Sequence, residues 1–166
     1  MLGHGYEGQN CSAARALEAV GERWSLLIMR DALGAGITRF VDFQRSLGIA
    51  RNVLSARLEL FVAEGLMERR PAGGSKYQEY VLTEKGRDLR PIIIALINWG
   101  DRWAAPNGPP VVFEHSDCSG ELEQKLLCAR CGEVVAYDDI HSRRGPGAQL
   151  VSDHARDQGR RAGRRS

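Results

Sequence analysis

Two groups of side chains in this 166-residue chain have types and spacings that can do chemistry. The first is His115-Ser116-Asp117-Cys118 with Cys128-Ala129-Arg130-Cys131-Gly132, an H-x2-C and a C-x2-C unit separated by nine residues. Two pairs of soft or borderline ligands suit tetrahedral zinc, and a C-x-x-C loop ending in glycine is what a metal-binding turn needs. Four protein ligands close the coordination sphere, so His115, Cys118, Cys128 and Cys131 are expected to hold a structural zinc and not a catalytic one. The competing reading is a compact β extension whose thiols are merely buried or redox-active. The second group is Arg51-Asn52 with Ser55 one turn on. Arg pairs bidentately with guanine and Asn with adenine, each worth about 1–3 kcal/mol of discrimination when the element carrying them enters a groove of DNA. A solvated helix face is the plain alternative. Enzyme chemistry has no comparable signature: there is no phosphate-cradling Gly loop, dinucleotide fingerprint or HExxH.

The elements around Arg51 decide between these readings. Ala13, Ala16, Leu17 and Val20 have helical spacing, which predicts a first helix over about 12–20, stopped by Gly21. Trp24 to Leu33 is apolar enough for a buried second helix, ended by Gly34 and Gly36. A third helix capped by Thr38 carries Phe40, Val41, Phe43 and Leu47, with Gly48 just past its end. After Gly48-Ile49-Ala50 a fourth helix runs from Arg51 to about Glu64, with Leu54, Leu58 and Phe61 inward at i, i+4 and i+7. Two helices joined by so short a turn, the second polar and basic at its N-terminal end, outline a helix-turn-helix. Leu66–Arg70 and Tyr77–Leu82 then read as a β-hairpin around 71–75, with Tyr80 and Leu82 facing the helices. Helix-turn-helix plus hairpin is a winged helix. A long last helix is expected from Thr83 to about Trp103, bent or interrupted by Pro91.

Net charge +2 hides a distribution. Residues 36–90 carry 10 basic and 7 acidic side chains, residues 104–140 carry 2 and 7, and residues 141–166 carry 7 and 2. The last segment is Arg-rich and poor in apolar residues, so a disordered tail is expected. The fold class that results is mainly α with a small β-hairpin: a winged helix-turn-helix over 11–103, a small zinc-ribbon-like β extension over 104–140 and the tail over 141–166. In that extension Val111-Val112-Phe113 and 133–137 are strand-like and can pair. The longest aliphatic run, Ile92 to Ile97, is short of the ~20 residues that span a bilayer, and Met1-Leu2-Gly3-His4-Gly5 has no charged and apolar secretory pattern. A cytoplasmic protein without a membrane partner is expected.

At this point the residues carry a family resemblance. Cys11, Gly21-Glu22-Arg23-Trp24-Ser25-Leu26-Leu27-Ile28-Met29-Arg30, Phe40-x-x-Phe43, Leu54-Ser55-x-Arg57-Leu58, Gly65-Leu66, Tyr80-x-Leu82-Thr83-Glu84-Lys85-Gly86-Arg87-x-Leu89 and Trp99-Gly100 are similar, in order, to winged-helix transcription regulators of the HxlR type, relatives of the MarR group. Ala50 departs from the pattern, standing where similar proteins commonly place Ser or another cap. The resemblance implies a homodimer on double-stranded operator DNA, with the first and last helices forming the interface. The Ala13/Leu17/Val20 stripe and the Ile92/Ile93/Leu96/Ile97/Trp99 cluster exceed what one small core needs.

The expected DNA contacts are Arg51, Asn52 and Ser55 on the recognition helix. Arg57 is expected on a phosphate or a nearby carboxylate, and Lys76 with Arg69 or Arg70 on the wing. Cys11 stands where some similar regulators sense oxidants or electrophiles, and a helix N-terminus lowers a thiol's pKa. A redox or small-molecule effector is thus a candidate input. The remaining alternative is a winged-helix and zinc-ribbon module of the transcription machinery that binds protein and has no operator of its own.

Overall fold

The computed structural model of the chain describes residues 10–73 and 77–148. Among these, Ser12–Gln124 form one compact unit, and residues 125–148 with Asn10 and Cys11 form a second. In the first, α1 (Ser12–Val20), α2 (Arg23–Gly34), α3 (Phe40–Leu47) and α4 (Arg51–Ala63) lead into strands β1 (Met67–Pro71) and β2 (Gln78–Leu82), then a single turn α5 (Glu84–Arg87) and α6 (Arg90–Ala104). This is the winged helix-turn-helix order.

The four first helices lie where apolar spacing and glycine stops predict. Gly48 takes a left-handed conformation (φ 61°) and returns its N–H to the Gln44 carbonyl, so α3 ends and α4 begins within three residues. Leu54, Leu58 and Phe61 of α4 are buried against Ile28, Met29, Phe43, Met67 and Ile93 from α2, α3, β1 and α6. That shared core fixes the angle at which α4 leaves the body.

One expectation is corrected and one is sharpened. Thr38 is not the cap of α3: Arg39 holds that place without a side-chain cap bond, while the Thr38 carbonyl accepts the Tyr80 N–H at 2.8 Å. A strand donor facing away from β1 needs an acceptor, and Thr38 supplies it. The last helix is interrupted, as expected, but just ahead of Pro91 and not at it. Thr83 Oγ1 accepts the Gly86 N–H and donates to the Gly65 carbonyl, α5 stops at Arg87, and α6 restarts with Pro91 in its first turn. Proline is tolerated there because a first-turn N–H has no intrahelical acceptor.

The hairpin is antiparallel, in register from Met67 opposite Leu82 to Pro71 opposite Gln78. As expected from the period of two, Tyr80 and Leu82 pack against the core. Beyond α6 no described residue from 105 to 148 is buried, and no strand forms. Instead of 111–113 pairing with 133–137, each segment closes a local turn, through isolated bridges Glu114–Glu121 and Leu127–Val134. Of the expected tail, residues 149–166 lie outside the described residues. Among the described residues no helix is long and apolar enough to cross a membrane.

Candidate nucleic-acid interface

The exposed end of α4 is built from its own uncapped start. Ala50 is the N-cap and offers no side-chain acceptor, so the first-turn N–H groups keep their positive end of the helix dipole for an outside anion. Arg51 and Asn52 are exposed at this end, and Ser55 is half-buried one turn further on. The Arg51 guanidinium lies over the Phe40 ring at 5.4 Å, which ties the first residue of α4 to the first of α3.

Beside it opens a cleft of about 730 Å³, lined by Arg39, Phe40, Val41, Arg51, Gln78 and the two tyrosines Tyr77 and Tyr80. Arg39 Nε stands 3.3 Å from Glu79 Oε1, and this pair with the Thr38–Tyr80 hydrogen bond holds β2 beside the start of α3. None of Arg39, Phe40, Tyr77 and Gln78 is assigned to the site by the sequence, where Phe40 reads as helix core and Tyr77 as the start of a strand. The available signal was a basic residue directly ahead of Phe40-x-x-Phe43, but only the pairing of β2 with residues 38–39 brings the wing there.

The structure separates the other expected contacts. Arg57 turns toward α2: its Nε is 3.9 Å from Glu22 Oε2, buried and without a hydrogen-bond partner. It is therefore not grouped with Arg51, Asn52 and Ser55. Arg70 is exposed on β1 and paired with Glu68; its neighbour Arg69 pairs with Glu59 of α4 and lies over Tyr80 at 5.7 Å. Lys76 lies outside the described residues.

The expected zinc ligands fall into two turns. In the first unit His115 Nδ1 is 3.4 Å from Cys118 Sγ, and His115 Nε2 is 3.8 Å from Asp117 Oδ2. In the second, backbone N–H groups of Cys131 and then Arg130 point at the Cys128 sulfur and hold that thiol below its ordinary range. Among the described residues no three His, Cys, Asp or Glu side chains gather into a metal-holding group. Cys11 is exposed directly ahead of α1.

A helix-turn-helix with an exposed Arg-Asn start to its second helix, and a hairpin docked beside it, defines a winged-helix DNA-binding protein. The chain belongs to the HxlR-like helix-turn-helix family, whose sequence model matches residues 19–108. It is 43% identical over 155 residues to an HTH-type transcriptional regulator of Mycobacterium tuberculosis, a match covering 91% of this chain and 96% of the relative. That match necessarily takes in residues 104–140. Among solved structures it is similar to the crystal structure of PA1607, titled "a Putative Transcription Factor" (38% identical, TM-score 0.76, 84% of this chain and 98% of that one). It is also similar to the redox regulator HypR in its reduced form (28% identical, TM-score 0.51, 55% of this chain and 92% of that one). The family is one of transcriptional regulators.

Proposed function

We propose that two copies of this chain bind a palindromic operator as a homodimer and regulate transcription from it. The observation that carries this reading is the exposed Arg51-Asn52 pair at the uncapped start of α4, steadied by Phe40. In it Arg51 and Asn52 read base edges and Ser55 reaches a base or phosphate. Arg39, Arg70 and Lys76 track the backbone, contacts that position without specifying. Arg57 keeps α4 on α2.

One winged helix makes few base contacts, whereas a two-fold dimer sets two recognition helices in successive major grooves about 34 Å apart. The stripe Ile92, Leu96, Trp99 and Trp103 on α6 supports such a dimer: these side chains are between 46% and 65% exposed, at spacings that share one helix face. Leu17 of α1 is exposed as well, while Val20, Ile93 and Ile97 are taken up by the monomer core.

Selection of genomic fragments bound by the full chain, followed by mobility shifts over a salt series, tests this. A site with dyad symmetry and an affinity falling steeply with salt is the expected result. Equal affinity for every sequence, or binding to polymerase subunits with no preference for DNA, overturns it in favour of a protein-binding module. A second reading concerns the input. Similarity to a redox regulator and the exposure of Cys11 favour a thiol-oxidising effector. Cys11→Ser should then abolish any oxidant response of operator binding, and an unchanged response removes it.

A further inference from the structure

We propose that the open cavity between α6 and the chain returning beside it is a binding site for a small organic cation with an apolar body. The site goes beyond the operator reading and does not depend on what α4 binds. Its walls all belong to the first compact unit. After α6 the Gly108 N–H bonds the Ala105 carbonyl at 3.1 Å, and Gly108 is left-handed (φ 86°), a conformation that glycine takes without strain. The chain reverses there and comes back to the start of α6, where Gln124 Nε2 donates to the Pro91 carbonyl at 3.1 Å. Between these anchors the Leu122 N–H bonds the Phe113 carbonyl at 2.8 Å, which sets the two limbs of the returning turn side by side.

The cavity measures about 380 Å³, at the lower end of the roughly 300–1,000 Å³ of small-molecule sites. Asn98, Asp101 and Arg102 of α6 line one wall, and Val111, Phe113, Glu121 and Leu122 line the other. Val111 and Leu122 are 58% and 49% exposed, so the apolar part of the lining is uncovered in a single copy. None of the wall residues belongs to the stripe of Ile92, Leu96, Trp99 and Trp103, so a partner copy on that stripe does not account for the cavity.

Charge decides which ligand fits. Neither Asp101 nor Glu121 makes a side-chain hydrogen bond or ion pair among the described residues. Arg102, the one cation among the wall residues, lies over the Trp103 ring at 4.8 Å. Residues 105–124 add four acidic side chains and no basic one, and Asp101 stands in the last turn of α6, where the helix dipole is negative. An anion would be repelled there, and a neutral ligand would desolvate two carboxylates without pairing them. A bare metal ion would leave the apolar wall unused, and among the described residues no three His, Cys, Asp or Glu side chains gather to hold one. An ammonium on a compact apolar body answers both halves: its N–H groups pair with the carboxylates, and its body covers Val111, Phe113 and Leu122.

The test is calorimetric titration of the full chain, without DNA, with benzylammonium at neutral pH. Benzyl alcohol and benzoate serve as bodies of like size that lack the positive charge. One saturable site per chain for the cation, and none for the other two at the same concentrations, is the expected result. Asp101→Asn and Glu121→Gln should each weaken the cation about five- to tenfold, and Glu114→Gln, outside the cavity, should leave it unchanged. Circular dichroism should find each variant folded, since neither carboxylate of the cavity has a partner to lose. Equal binding of benzoate or benzyl alcohol, no saturable binding of the cation, or wild-type affinity in both carboxylate variants overturns the site. So does a changed sedimentation of Asp101→Asn or Glu121→Gln, which would make the cavity part of a contact between copies.

Discussion

Glu22 Oε2 stands 3.9 Å from the Arg57 guanidinium and accepts the Trp24 N–H at 2.9 Å. One carboxylate oxygen thus caps α2 and faces the middle of α4, so the body and the recognition helix are joined at a point far from the exposed end that carries Arg51.

The double duty makes the two partners unequal. Glu22→Ala should cost about 1 kcal/mol for the lost cap on top of the ion pair, which at this partial exposure is worth only about 0.2–1 kcal/mol. Arg57→Ala should therefore destabilise less than Glu22→Ala in urea melts. The reverse order would show that the cap is not what Glu22 contributes.

Arg51→Ala should weaken a selected operator by about 1–3 kcal/mol while leaving random DNA nearly unaffected. Arg39→Ala and Arg70→Ala should weaken both alike and flatten the salt dependence. Mobility shifts on the two DNAs at several salt concentrations distinguish these outcomes; equal losses on both DNAs for Arg51→Ala would remove it as a specificity residue.

Charge placed on the α6 stripe should split the dimer. Trp99→Glu or Leu96→Glu puts a carboxylate on side chains that are already solvent-facing in a single copy, so each variant should stay folded by circular dichroism yet sediment as a monomer, with operator affinity falling toward the non-specific level. A variant that remains dimeric would move the interface elsewhere.

Gly86 is where α5 meets the base of the wing. A Cβ there would lie 2.1 Å from the Leu66 carbonyl oxygen and 3.0 Å from Leu82 Cδ2. Overpacking of this kind costs about 1–3 kcal/mol, and for a domain of this size each kcal/mol lowers Tm by roughly 4–8 °C. Gly86→Ala should show that drop in thermal melts, and an unchanged Tm would mean that Leu66 and α5 part easily.

Local rules read well where one element decides its own course. Leu54, Leu58 and Phe61 announce the buried face of α4 by spacing alone, Gly48 announces the end of α3 because few other residues accept its φ, and the uncapped start of α4 is visible in Ala50. Where two distant segments compete for one group, local rules mislead. Thr38 looks like a cap until Tyr80, forty-two residues later, needs its carbonyl, and of the two partners expected for Arg57, a phosphate or a nearby carboxylate, only the fold supplies the second, Glu22.

The chain's composition and periodicity determined the winged helix-turn-helix, the Arg51-Asn52 start of the recognition helix and the two pairs of metal-type ligands, because each depends on neighbours within a turn or two. Tertiary structure alone decided that Arg39, Phe40 and Tyr77 share a cleft with Arg51, that Arg57 serves α2, and that α6 leaves Trp99 and Trp103 uncovered. These outcomes depend on which surfaces and backbone groups are still unmatched after the core has closed, and no spacing along the chain records that.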